Sequence, residues 1–194
     1  MVDIIKDLKH KARHLHRNIL TSTPQSLAFI RKQPGLVKLS NAELIEQTLR
    51  RHCLSQLAIF LGFQGWAHLL KVMQEPGSPP GENQRSVVDY GKLLYPPRCG
   101  VYTNIWHVFY GEARQVRQKN AGYLLPYKTQ FLVCEADYIR TLGLDPEDQN
   151  WNLLERDWIN PAAHPARNHL YKTLIDHALA GQGWLYPDQR QNGI

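Results

Sequence analysis

Residues 49–73 read LRRHCLSQLAIFLGFQGWAHLLKVM, and their spacing sets the architecture of the N-terminal part. Leu49, Leu54, Leu57, Ala58 and Leu61 recur at helical intervals, Gly62 stands where a left-handed C-cap belongs, and Trp66, Leu69, Leu70 and Met73 resume at steps of three and four. The stretch is thus a helix, a glycine corner and a shorter helix. Upstream, Ser40-Asn41-Ala42-Glu43 forms a capping box, so the first of these helices is predicted to start there and run through Leu44 and Ile45 to Leu61. Thr23-Pro24 supplies a cap and a first-position proline for a helix bearing Leu27 and Ile30, which Gln33-Pro34-Gly35 ends. Before it, Ile4, Ile5, Leu8, Ala12, Leu15 and Ile19 mark one face of an amphipathic helix, with Lys6, Lys9, Lys11, Arg13 and Arg17 mostly on the other side.

Downstream the grammar changes. EPGSPPGENQRS, residues 75–86, has almost no apolar content and is rich in proline and glycine, the composition of a linker. Beyond it VYTNIWHVF (101–109) and FLVCEA (131–136) are β-branched and aromatic and predict two strands. GEARQVRQKN and ADYIRTL predict helices, Asp145-Pro146 starts another with Trp151, Leu154 and Trp158, and Pro165 precedes a last one with Leu170, Leu174 and Ala178. The predicted fold is therefore α+β and mostly helical. A basic four-helix module spans 1–75, a linker 76–86, and a small α+β domain with few strands 87–194.

Composition narrows the function classes. With 194 residues, 43% hydrophobic and 21% charged, the chain has the makings of an ordinary packed core. No stretch approaches the roughly 20 apolar residues of a membrane span, and the opening MVDIIKDLKHKARHLHRN lacks a signal-peptide core, so the expected compartment is the cytoplasm. Cys53, Cys99 and Cys134 are scattered and odd in number, which predicts reduced thiols instead of a disulfide framework or zinc knuckle. The formal net charge of +6 is confined to residues 1–51, where ten Lys and Arg face four acids. Such polarisation suits an anionic partner, whether nucleic acid, an acidic protein or a lipid surface; a merely solubilising face is the competing reading.

The pattern Leu61-Gly62-Phe63-x-x-Trp66-x-x-Leu69 resembles the short bacterial helical module built on L-G-F-x-x-W-x-x-L. That module precedes ankyrin-like repeats in some bacterial proteins and recurs in small proteins labelled glyoxalase-superfamily. The resemblance covers roughly the first 75 residues and implies a fold, not a reaction. No ankyrin repeat follows and no glyoxalase ligand pattern is present. Residues 112–151 are similar to segments of bacterial proteins without an assigned activity.

Ala58 and Gly62 also have the small-residue-to-glycine spacing of a helix-turn-helix. The helix that follows, GWAHLLKVMQE, offers one lysine and one histidine where base readout needs several polar side chains, so a packing corner is the better reading. Lys6, Lys9, Lys11, Arg13 and Arg17 are the candidate phosphate contacts. His10 and His14, at i and i+4, lack the third ligand of a metal site, so no metal site is assigned, and nothing in the sequence identifies a cofactor. For chemistry, Glu135 and Asp137 would share one strand face behind Cys134, with His107 on the other strand. The plainer reading makes Asp137 the start of a helix and Cys134 a small buried hydrophobe. Tyr123, Tyr127 and Lys128, around GYLLPYK read as a turn, are placed to line a pocket or interface. P-loop, G-x-S-x-G and GxGxxG motifs are missing. The leading expectation is a non-catalytic binding or regulatory protein whose basic module engages an anionic partner; the alternative is an enzyme or small-ligand or metal-binding protein with its site at His107, Cys134, Glu135 and Asp137.

Overall fold

The computed structural model describes residues 3–74, 80–160 and 164–185. Five helices form the N-terminal part: α1 (Ile4–Leu20), α2 (Pro24–Ile30), α3 (Asn41–Gln47), α4 (Arg50–Phe60) and α5 (Trp66–Gln74). A 3-10 turn (Pro97–Val101) leads to β1 (Ile105–His107), α6 (Tyr110–Asn120), β2 (Tyr123–Tyr127), β3 (Gln130–Cys134), α7 (Ala136–Leu142), α8 (Gln149–Leu153) and α9 (His164–Leu179). The strands make one antiparallel sheet in the order β1-β3-β2. The fold is α+β and mostly helical, and among the described residues no helix is long and apolar enough to cross a membrane.

The amphipathic face of α1 does what its spacing demands. Leu8, Ala12, Leu15 and Ile19 are fully buried and rest on α4, the helix with which α1 packs most extensively. The predicted helix from the capping box to Leu61 is in fact two. Its cap is real, with Ser40 Oγ accepting from Glu43 N and Glu43 Oε2 accepting from Ser40 N. At Thr48, however, the backbone turns extended (ψ 121) and the carbonyl bonds to His16 Nε2 of α1 at 2.9 Å. A tertiary partner thus takes over a carbonyl that a continuous helix would have used. Leu49 N then donates to His52 Nδ1 and α4 begins.

The LGF corner is a Schellman closure. Gly62 N donates to Ile59 O and Phe63 N to Ala58 O, with Gly62 at φ +87. Against it lies Gly91, also left-handed at φ +73. Lys92 N donates to Gly62 O at 3.0 Å, and a Cβ on Gly91 would stand 2.9 Å from the Phe63 ring. His68 locks the joint: its Nδ1 accepts from Gln64 N, so Nε2 carries the proton and donates to Asp89 O at 2.6 Å. The tip of the β2–β3 hairpin docks on the same spot, for Tyr90 N donates to Lys128 O and Lys128 N to Gly91 O. One cluster of buried apolar side chains runs from α1 through this joint to α9.

Downstream, three local readings change. Of 101–109 only Ile105–His107 is strand, because Pro96 and Pro97 seed the 3-10 turn before it. GYLLPYK is the missed strand β2; Pro126 is tolerated there because β2 lies at the sheet edge. Asp145 closes a local turn by accepting from Glu147 N, and Asp148 caps α8 three residues later than predicted. Within the composition-based linker, residues 75–79 lie outside the described residues, while Glu82 O accepts from Gly111 N and Arg85 bridges to Phe109, laying 80–86 along the start of α6.

Gly91→Ala should lower stability by about 2–4 kcal/mol, combining left-handed strain with a steric clash against Phe63. Gly35→Ala, at φ +89 with open space around it, should cost only about 1 kcal/mol. Urea midpoints of the two variants check the difference; equal losses would mean that close packing at the joint contributes nothing.

Candidate functional site

The basic face of α1 is the best-formed candidate. At 3.6 residues per turn, Lys6, His10, Arg13 and Arg17 fall within about 60° of one another around the helix, with Lys9 and His14 about 40° beyond either edge. Lys6, Lys9, His10, Arg13 and Arg17 are exposed and His14 is half-buried. Among the described residues the side chains of Lys6, Lys9, Arg13 and Arg17 have no ion pair or hydrogen bond. His10, Lys11, Arg13, His14 and Arg17 also line a groove of about 350 Å³, with Leu185 as its apolar wall. The wall is held in place by Asn18, which donates to Trp184 O at 2.8 Å while the Trp184 ring packs 5.2 Å from Phe29.

Lys11 differs from the others in being mostly buried and paired. It is 9% exposed and its Nζ lies 2.5 Å from Asp7 and 3.0 Å from Asp176 of α9. Burial alone pulls its pKa down, but hydrogen bonds and charge from the two carboxylates outweigh that and hold it above the ordinary lysine value. Asp176 mirrors it. Burial pushes its pKa up, and Lys172 and Lys11 more than offset this, holding it below the usual carboxylate value. The charge of Lys11, one of the five predicted phosphate contacts, is paired with Asp7 and Asp176 and braces α1 against α9. His10 and His14, whose spacing suits a metal pair or a polar helix face, line the groove. Among the described residues no group of three or more His, Cys, Asp or Glu side chains is placed to hold a metal ion.

The residues of the catalytic alternative lie apart. His107 pairs with Phe131 across the sheet, three positions along β3 from Cys134, a separation of roughly 10 Å at about 3.3 Å per residue. Its Nδ1 is 3.4 Å from Glu112 Oε2. Cys134 is 4% exposed with its thiol directed at Tyr123 O, and burial drives its pKa far up. The strand ends there. Glu135 is the exposed N-cap residue of α7, and Asp137 sits in the first turn paired with Arg140 at 2.6 Å. The helix start breaks the i, i+2 strand alternation on which a shared carboxylate face depended.

Elsewhere Tyr110 donates to the buried Asp157 at 2.6 Å, and Ile159 N donates to the other carboxylate oxygen at 3.0 Å. Burial raises the pKa of Asp157 in spite of these bonds. This is an interior brace between α6 and the loop after α8.

Lys11→Met should destabilise the fold by about 1–3 kcal/mol, since it leaves Asp7 without a partner and removes one cation from Asp176. The pH dependence follows from the signs. With its folded pKa depressed, Asp176 adds stability above its unfolded value of 3.8, which is lost as pH falls through the folded value. With its folded pKa raised, Lys11 adds stability below 10.5, which is lost as pH climbs through the folded value. Denaturant melts should show both flanks in the wild type and a weaker acid flank in Lys11→Met. Burial also pushes Cys53 up to about 12 and raises Cys99, so none of the three thiols should react with a disulfide reagent at neutral pH until the protein is denatured. Fast native-state labelling of Cys134 would revive the catalytic alternative.

No family model, curated protein or solved structure matches the chain.

Proposed function

We propose that this is a non-catalytic intracellular binding protein whose α1 face holds a nucleic-acid backbone without reading its sequence, and that residues 4–74 are a helical module of the L-G-F-x-x-W kind. The observation that carries the reading is the stripe of four exposed cations, Lys6, Lys9, Arg13 and Arg17, none of them neutralised by a described acid. From Lys6 to Arg17 the stripe extends about 16 Å along the helix. A linear array of this kind suits a polyanion with repeated charges better than one small anion. Lys11 is neutralised by Asp7 and Asp176, so the unpaired charge of α1 is carried by its exposed side chains.

Sequence-independent contact follows from the side chains available. The stripe has lysine, arginine and histidine but no outward asparagine or glutamine, and Asn18 is occupied by His14 and Trp184 O. The α5 helix after the glycine corner is committed too: Leu69, Val72 and Met73 are buried and His68 is bonded to Asp89. The corner therefore supports packing instead of base recognition. The separation of His107 from Cys134 and the pairing of Asp137 with Arg140 support the non-catalytic side of the proposal.

Binding of a fluorescent duplex or single strand should weaken with salt, with a log–log slope of about −3 to −4 if all four cations contact phosphate. Joint substitution of Lys6, Lys9, Arg13 and Arg17 by Glu should abolish it, and Lys11→Met should leave the slope unchanged. A wild type that fails to bind at low salt, or a folded quadruple variant that binds as well as wild type, overturns the proposal.

A further inference from the structure

We propose that the cleft where α4, residues 92–98, β2 and α9 meet is a second, independent binding site, and that it takes a planar aromatic anion: a ring system bearing one carboxylate or phosphate. The cleft encloses about 540 Å³, within the range of roughly 300–1,000 Å³ that holds small ligands. Its lining includes Phe60 and the C-cap Leu61 at the end of α4, and Leu174 and Ala178 from α9. At this cleft the Gly62–Gly91 joint holds the end of α4 against the 89–98 segment. It shares no lining residue with the groove on α1.

The aromatic character of the ligand is read from the walls. Tyr95 and Tyr127 both line the cleft and lie ring to ring at 5.2 Å. Trp106, 40% exposed and outside the lining itself, packs against them at 5.2 Å from Tyr95 and 5.7 Å from Tyr127, each pair edge to face. Both tyrosines are half-buried, and neither hydroxyl has a hydrogen-bond partner among the described residues. Rings in this arrangement present flat, polarisable surfaces with polar tips, which favour stacking of another ring.

The charge is read from the rim. The lining contains two charged residues, Lys92 and Arg98, and both are cations. Arg98 is held in position, donating to Thr141 O at 2.8 Å and Leu142 O at 2.9 Å at the end of α7. The backbone of Lys92 is fixed by Gly62 O at 3.0 Å, and its exposed side chain has no described ion pair. An apolar, ring-lined cleft with two cations and no carboxylate in its lining complements a flat apolar body carrying negative charge.

The test uses the full chain and anilinonaphthalene sulfonate, a fluorescent aromatic anion. One saturable site with enhanced emission is expected. Lys92→Glu should weaken it about tenfold or more, Lys92→Arg should retain it, and Ala178→Trp, which fills the cleft, should abolish it. The quadruple α1 variant should bind the dye like wild type, so failure of the nucleic-acid reading and failure of this one are separable. Displacement by indole-3-carboxylate identifies a carboxylate ligand and displacement by adenosine monophosphate a phosphate-bearing one. Displacement by neither overturns the proposal. So does non-saturable dye binding, or wild-type affinity in folded Lys92→Glu or folded Ala178→Trp. Because Lys92 is on the surface, Lys92→Glu decides alone should Ala178→Trp fail to fold.

Discussion

The structure depends on two left-handed glycines meeting back to back. Gly62 ends α4 and Gly91 ends the approach of the middle segment, and the absence of both Cβ atoms lets Lys92 N reach Gly62 O at 3.0 Å. The hairpin tip, the His68 brace and the 92–98 segment all take their positions from that contact. A side chain at Gly91 would strike both the Phe63 ring and Gly62 O. The constraint is therefore steric first, and the hydrogen bonds fix its register.

A second tie closes the chain at the other end of the core. The Lys11 ammonium between Asp7 and Asp176, with Asn18 bonded to Trp184 O, holds the C-terminal helix and turn against α1. This use of one lysine separates two kinds of charge on a single helix. The buried cation is consumed in packing, and the exposed ones remain available to solvent or a partner. Pairing at low accessibility is what makes a buried lysine tolerable, and Lys11 has two carboxylates to supply it.

The catalytic alternative shows how local pattern misleads at element boundaries. Glu135 and Asp137 have strand spacing in sequence, yet β3 stops at Cys134, where Glu135 takes the cap position of α7. His107 and Cys134 belong to adjacent strands whose antiparallel register sets them apart. The aromatic residues behaved in the opposite way. Tyr127, read within a supposed turn, joins Tyr95 and Trp106 from distant stretches because hairpin and edge strand bring their side chains to one place.

By itself the sequence determined what local physics controls: the apolar stripe of α1, the Ser40 capping box, the glycine corner at Gly62, the two strand-forming runs and the concentration of positive charge near the start of the chain. These follow from periodicity and backbone sterics, which act within a few residues. Tertiary structure alone decided that the helix breaks at Thr48, that Lys11 is a brace, that Pro126 sits in a strand and that a ring-lined cleft opens beside Tyr95. Each of those outcomes depends on a partner more than 20 residues away or on which edge of the sheet a strand occupies, and no local spacing encodes either.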